Sequence, residues 1–175
     1  MGTASRVMGE QRGGERVGGG RSAAEALREH GPALGRVCMA LLGDANDTSA
    51  ALEHVAREAG ARNGPDGVSE RAWLMGLARV ACATRLSKLP LHTKSMIDAP
   101  SVERGGGGGA GLARESLAKL RPTEREAVVL HLVGGLDTTD VAAACGVDVE
   151  TAKTRIARGI GQLSEKTTSG EGEKR

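Results

Sequence analysis

The stretch that decides the fold runs from Arg121 to Leu163 and reads RPTEREAVVLHLVGGLDTTDVAAACGVDVETAKTRIARGIGQL. Apolar residues in this stretch recur every three or four positions, which is the period of an amphipathic helix. Gly134 and Gly135 interrupt the pattern once and Gly146 interrupts it again, because glycine admits the positive φ that ends a helix. The stretch therefore predicts three helices separated by two tight turns.

Polar residues that can cap a helix stand before each predicted segment. Thr123 and Glu126 have the spacing of a capping box, and Asp137 and Asp148 precede the second and third helices. A helix, a short turn with glycine and a second helix with a basic outer face form a helix-turn-helix, which fits the major groove of double-stranded DNA. The same charges would suit an ordinary solvated helix, but the caps and turns favour DNA binding. The predicted DNA-reading face comprises Glu150, Thr151, Lys153, Thr154, Arg155 and Arg158.

Composition limits the size and the chemistry of the core. The chain has 175 residues, 39% of them apolar, with no Phe, no Tyr and one Trp. An aliphatic core buries less area per side chain than an aromatic one, so two small domains would each be marginally stable alone. The net charge of +2 requires any basic footprint for nucleic acid to be local.

The first part of the chain, residues 21–88, predicts a small helical bundle. Gly31-Pro32 marks a break or a fresh start in the first helical pattern, Gly43 a stop, and Asp47 and Ser69 the caps of two further helices. In the third helix, Trp73, Leu77, Val80, Ala81 and Leu86 are predicted to point inward. Its cations are predicted to reach water, either as a solvated basic face or as a face that holds DNA phosphates: Arg71, Arg79, Arg85 and Lys88.

Composition also divides the chain. Residues 1–20 and 167–175 are predicted to be disordered tails, and residues 89–111 a flexible linker because of Pro90, Pro100 and the glycines 105–109. No window alternates apolar and polar residues as a strand would. The expected fold is all-α, with one small helical domain over 21–88 and a second, containing the helix-turn-helix, over 112–166.

Several other kinds of chemistry are not expected. Cys38, Cys82 and Cys145 are far apart in the sequence and lie among apolar residues, as buried reduced thiols do. His54 and His131 have no ligand set around them, and the glycine run lacks the lysine of a phosphate loop. No segment has the roughly 20 apolar residues of a membrane span. We expect a cytoplasmic protein without enzymatic activity, metal, cofactor or membrane insertion.

Three short stretches resemble region four of extracytoplasmic-function RNA polymerase sigma factors: residues 123–126 (TERE), 135–137 (GLD) and 149–155 (VETAKTR). Upstream, residues 41–44 (LLGD), 52–55 and 71–79 resemble the order and spacing of sigma region two. The resemblance implies a protein that directs RNA polymerase core to specific promoters and initiates transcription. It implies promoter DNA and polymerase core as partners, and an anti-sigma factor as a further one.

The region-two resemblance also has departures from the family pattern. An acidic pair is replaced by Ser49-Ala50, a Gln-Glu pair by Glu53-His54, and a common aromatic residue by Ala56. The resemblance places polymerase binding at Leu52 and Glu53. An alternative is a degenerate sigma-like regulator, or one with a LuxR-type DNA-binding domain, that binds DNA without melting it. Another alternative is a protein-interaction module whose first lobe docks an inhibitor or a sensor.

Overall fold

The computed structural model describes residues 22–88 and 108–169. All of the regular structure in these two ranges is helical, which confirms the predicted all-α fold class. The first lobe contains α1, α2 and α3, and the second contains α4, α5 with a π-helical turn, α6 and α7. Their bounds are α1 Ala23–Leu42, α2 Ala45–Ala61, α3 Glu70–Lys88, α4 Gly108–Ala118, α5 Pro122–Val128, the π-helical turn Val129–Val133, α6 Thr138–Cys145 and α7 Val149–Ser169.

The first helix is continuous, so the predicted break at Gly31-Pro32 is wrong. Pro32 lies inside α1 on its exposed side, where the ring costs one backbone hydrogen bond but meets no neighbouring element. Buried residues on both sides of it, such as Ala26 and Leu34, hold the helix against the rest of the lobe. The predicted stop is confirmed: Gly43 ends α1 with a φ of 73°.

Of the two helix caps predicted for the first lobe, one is confirmed and one is wrong. Ser69 caps α3 as predicted, since its Oγ accepts a hydrogen bond from the Ala72 N–H at 3.1 Å. The cap of α2 is Asp44, whose Oδ1 accepts from the Asp47 N–H at 2.9 Å. Asp47 therefore lies in the first turn of α2, and its carboxylate is free to pair with another element.

In the second lobe the predicted capping box is wrong. Helix α5 begins at Pro122, and Arg121, in the cap position, makes no side-chain cap bond. Proline at the first helical position needs no N–H partner and has a helical φ already. The caps at Asp137 and Asp148 are confirmed, with hydrogen bonds of 2.7 and 2.8 Å from backbone N–H groups three residues on.

Helical structure extends slightly past the predicted boundaries. Helix α4 begins at Gly108, inside the predicted linker, and α7 continues to Ser169, inside the predicted tail. No proline or glycine falls between Gly161 and Gly170, so nothing in the sequence ends α7 earlier. The predicted tail over 1–20 and most of the predicted linker and C-terminal tail lie outside the described residues.

The two lobes share one apolar core. Helix α3 packs against α6, and α1 packs against the π-helical turn. Buried side chains from the first lobe, such as Leu74 and Met75, belong to the same cluster as Leu130, Leu136 and Val141 from the second. Small side chains line the meeting point, which allows the helices to approach closely. The sequence did not predict this joint core.

Val80 on α3 was predicted to point inward but is 47% exposed, and Val149 at the start of α7 is 44% exposed. Trp73 is half-buried and packs on the core, with Gly64 so close that an added Cβ would lie 3.0 Å from the ring. Among the helices of the described residues, none has the length and apolar composition that crossing a membrane requires.

The cysteines are free thiols, as predicted. Cys38 and Cys82, distant in sequence, meet where α1 packs on α3, and the Cys82 thiol donates a hydrogen bond to the Cys38 sulfur. This bond and burial raise the pKa of Cys82, while the same bond lowers the pKa of Cys38. Burial raises the pKa of the half-buried Cys145.

Candidate nucleic-acid interface

Helix α7 presents a polar face on one side and is anchored on the other. Ala152 and Ile156 are buried against the rest of the lobe. Lys153, Thr154 and Arg158 are exposed on the opposite side. Glu150 is exposed as well, whereas Thr151 and Arg155 are half-buried at the edges of this face. The six residues predicted to read DNA thus lie around the outer side of α7, with Lys153 and Arg155, two residues apart in the helix, toward opposite edges.

Two contacts on this surface show how its side chains are used. Thr151 Oγ1 donates to Asp148 Oδ2 at 2.6 Å, so this hydroxyl serves the helix cap as well as facing outward. Lys153 Nζ lies 3.6 Å from Glu150 Oε1, with side chains 67% and 80% exposed. So exposed a pair contributes little stability, about 0–1 kcal/mol. Lys153 can therefore exchange this partner for a phosphate or a base at little cost.

The position of α7 depends on a glycine inside the helix. Gly159 is buried where α7 crosses α5, and a Cβ there would collide with Val128 Cγ2. Gly161, two residues further along the helix, has open space around it. Gly159 thus sets how closely the reading helix lies on α5, a role that periodicity alone did not reveal.

The basic residues predicted on α3 separate into two groups, and the first faces the second lobe. An Nη2 hydrogen of Arg71 is donated to the Gly134 carbonyl oxygen. Arg79 donates from Nε to the Ala144 carbonyl at 3.1 Å and from Nη1 to Glu126 at 3.2 Å. The sequence predicted that both guanidinium groups would reach water. In the structure both groups bond to the second lobe instead.

The second group lies nearer the end of α3. Arg85 Nη2 lies 2.8 Å from Asp47 Oδ1, which ties α3 to α2, and Lys88 is exposed in the last turn. The two tentative polymerase-binding residues lie on α2, where Glu53 is exposed and Leu52 is half-buried against the core. Helix α2 packs against α1 and α3, whereas the polar face predicted to read DNA belongs to α7.

Sequence reasoning missed the seam between the lobes, that is, the contact of α3 with α6 and with the end of the π-helical turn. Ser69 Oγ donates to Asp140 Oδ1 at 2.9 Å. A Cβ at Gly76 would lie 3.2 Å from the Ala144 carbonyl oxygen, so the α3 backbone lies directly on the end of α6. Two features of the sequence could have indicated this contact. Gly76 lies inside a helix, where no turn requires a glycine, and Arg71 and Arg79 lie eight residues apart on one side of α3.

The described residues contain no cluster of three or more His, Cys, Asp or Glu side chains that would hold a metal ion. His131 lies with its Nδ1 2.7 Å from the Leu136 carbonyl oxygen, so its ring supports the turn before α6. His54 lies on α2, within the other lobe.

Comparison with known proteins bears on both lobes. Residues 111–163 match the family model of sigma-70 region 4, which spans the helix-turn-helix and the face described above. No curated protein matches the chain significantly.

Solved structures match the fold across both lobes. The sigma factor RpoE of Bartonella quintana, in complex with the anti-sigma factor NepR, has a TM-score of 0.67 and 22% identity, covering 81% of this chain and 94% of its own. CnrH, in complex with the cytosolic domain of CnrY, has a TM-score of 0.62 and 18% identity, covering 84% and 88%. The PhyRSL–NepR complex from Sphingomonas sp. Fr1 has a TM-score of 0.61 and 22% identity, covering 83% and 88%.

The second lobe is therefore similar to sigma-70 region 4, and the described residues share the two-lobed helical fold of these solved structures. Both findings agree with the resemblance to sigma factors that the sequence predicted.

Proposed function

We propose that this protein is a promoter-specificity subunit that directs RNA polymerase core to its promoters and starts transcription there. The observation that carries the proposal is the polar face of α7 within a region 4 domain. Lys153 and Arg158 are exposed on it, and Arg155 lies at its edge. Arginine and lysine bind guanine edges and phosphates, and a helix of this kind fits the major groove.

We propose the following roles for individual residues of this surface. Lys153 and Arg155 are proposed to contact bases, and Arg158, further along the helix, to contact the phosphate backbone. Glu150 and Thr154 complete the surface, and Thr151 links it to the Asp148 cap. Leu52 and Glu53 on α2 are proposed to contact polymerase, while Arg85 and Lys88 remain candidates for promoter phosphates.

A protein inhibitor is a proposed partner as well. The solved structures that share this fold include complexes with NepR, an anti-sigma factor, and with the cytosolic domain of CnrY. We propose that such an inhibitor binds the surface that both lobes present together. The proposal places the protein in the cytoplasm, acting without enzymatic activity of its own.

Reconstitution with RNA polymerase core tests the function directly. Run-off transcription over a genomic promoter library is expected to give specific transcripts only when the protein is present. A matched variant, Lys153→Ala with Arg155→Ala, should lose these transcripts while Arg57→Ala, exposed on α2, should retain them. Transcripts that do not depend on the protein would refute the proposal.

The second candidate is a sigma-like regulator that binds DNA without melting it. One observation favours it: two of the arginines that would hold promoter DNA on the first lobe, Arg71 and Arg79, are bonded to the second lobe. DNA binding without any transcript from the reconstituted polymerase would establish this candidate.

A further inference from the structure

Two cysteines from different helices of the first lobe meet in its core. Cys38 on α1 and Cys82 on α3 are 0% and 1% exposed, and the Cys82 thiol donates a hydrogen bond to the Cys38 sulfur. Both are free thiols. Ala78 and Ala81, which are buried beside Cys82 on the same helix, have small side chains. They allow α1 and α3 to lie close together where the two sulfur atoms meet.

Contact between the two sulfur atoms provides most of the geometry that a disulfide requires. A disulfide has about 2.05 Å between its sulfurs and about 4.4–6.8 Å between the Cα atoms that it joins. Two thiols that share a hydrogen bond need only a small movement of their side chains to reach the sulfur distance. Cys38 and Cys82 are 44 positions apart in the sequence, so the packing of α1 on α3 is what brings them together.

Cys82 also lines a cleft through which a small oxidant can reach the pair. The cleft has an empty volume of about 300 Å³ and lies between α1, α3 and α5. Its charged lining residues are Arg79, Arg125 and Glu126, so guanidinium groups outnumber carboxylates there. Reactive cysteines have cationic neighbours and access for a reagent, whereas structural buried cysteines are inert. The cleft gives Cys82 both of the features that a reactive site needs.

The hydrogen bond between the thiols favours ionisation of one sulfur over the other. It lowers the pKa of Cys38, which accepts the bond, and raises the pKa of Cys82, which donates it. The thiolate is the form of cysteine that attacks an oxidant. Cys38 is therefore the sulfur that reacts first, and Cys82 already lies in contact with it as the thiol that completes the disulfide.

We propose that Cys38 and Cys82 form a redox-sensitive pair, which hydrogen peroxide entering the cleft oxidises to a disulfide between α1 and α3. The Cys38 thiolate attacks one peroxide oxygen and the O–O bond breaks, which gives a sulfenic acid and a hydroxide that takes up the proton lost on ionisation. The Cys82 sulfur then attacks the Cys38 sulfur and displaces its hydroxyl group, which leaves as water with the Cys82 proton. The pair loses two electrons, and the peroxide becomes two water molecules. This inference does not depend on DNA binding.

Peroxide treatment of the reduced, folded full chain tests the pair directly. Cys38 and Cys82 fall in the tryptic peptides of residues 37–57 and 80–85, and Cys145 falls in a third peptide. Digestion without reductant followed by mass spectrometry should find the first two peptides joined. Free thiols should fall from three to one per chain. The matched control Cys145→Ala should form the same link.

The link should also stabilise the first lobe against heat. A disulfide that closes a loop of this length restricts the unfolded chain, so the midpoint of thermal unfolding should rise by about 5–15 °C. Dithiothreitol should return the midpoint to that of the reduced chain. Cys38→Ala should show no rise, and Cys82→Ala serves the same purpose if Cys38→Ala is not folded by circular dichroism.

Three results would overturn the proposal. Thiols that resist peroxide in the folded chain would show that the cleft does not admit the oxidant to the pair. Links from Cys145 to either partner at equal yield, or a link that forms only in denaturant, would show that the contact between α1 and α3 does not direct the oxidation. A link that forms without raising the midpoint would show that the disulfide does not fit the native packing of the two helices.

Discussion

Helices α3 and α7 look alike in sequence but have different neighbours. Each is long, amphipathic and rich in cations, and the sequence predicted a DNA-binding face on both. On α7, Lys153 and Arg158 are exposed within the part of the chain that the structure describes. On α3 the corresponding side, with Arg71 and Arg79, meets the second lobe. A basic helix face therefore predicts that its cations bind an acceptor, but that acceptor can be a backbone carbonyl of the same protein.

The chain uses arginine in this way more than once. Arg125 Nη2 donates to the Ala118 carbonyl at 2.9 Å, at the end of α4, just as Arg79 bonds the end of α6. With one aromatic residue in 175, the core is built from small aliphatic side chains that leave helix ends close to neighbouring helices. Long arginine side chains reach these ends, cover apolar surface with their stems and bond the free carbonyls.

The largest expected effect separates the two helices by DNA binding. The variant Lys153→Ala, Arg155→Ala, Arg158→Ala should weaken specific binding by about 3 kcal/mol or more, since one base-reading pair contributes about 1–3 kcal/mol. Arg71→Ala with Arg79→Ala should change binding far less, because the closed seam already withholds both side chains. Fluorescence anisotropy with promoter DNA from the transcription assay measures both. Equal losses in the two variants would contradict the distinction.

A pair of glycines on α7 tests its anchoring. Gly159→Ala should destabilise the fold by about 1–3 kcal/mol through overpacking against Val128. Gly161→Ala meets nothing and should stabilise α7 by about 1 kcal/mol or slightly less, from helix propensity. Denaturant unfolding of the full chain gives both values. Stabilisation by both substitutions would show that α7 does not lie this closely on α5.

Within α3, substitution of Arg79 and of Arg85 compares the stability contributed by a contact between the lobes with that of an ion pair inside the first lobe. Arg79→Ala should lower the free energy of unfolding by about 1–3 kcal/mol, because it leaves a carbonyl and Glu126 without their charged partner. Arg85→Ala should cost under about 1 kcal/mol, since its side chain is 38% exposed and such pairs are weak. Thermal and denaturant unfolding measure the difference. A larger loss for Arg85→Ala would mean that the seam contributes little.

The smallest effect concerns the α7 cap and its dependence on pH. Hydrogen bonds from Thr151 hold the pKa of Asp148 below its ordinary value, so the ionised carboxylate is favoured in the folded state. Its contribution is fully present above the unfolded pKa of about 4 and is lost as pH falls through the lower folded pKa. Asp148→Asn should therefore differ from the wild type in thermal stability at neutral pH and converge with it in acid. Asp66→Asn, in an exposed turn, should show no such convergence.

Local rules predicted much of the second lobe. Asp137 and Asp148 cap their helices because the cap bond joins residues only three apart. Gly135 and Gly146 take a positive φ at the predicted turns. The Thr123–Glu126 box failed because the helix begins at Pro122, which places Thr123 inside the first turn, and Glu126 pairs with Arg79 on the other lobe instead. Pro32 was misjudged because packing on both sides keeps α1 continuous.

The sequence by itself determined the helical periodicity, the caps and turns of the helix-turn-helix, and the set of polar residues that share one side of α7. These depend on residues within a few positions of each other, so they can be read along the chain. Tertiary structure decided which cations face solvent, which glycines are crossing points, and that both lobes share a core. Gly76 and Ala144 are 68 positions apart, and only the close approach of α3 and α6 gives that glycine, and the arginines beside it, their role.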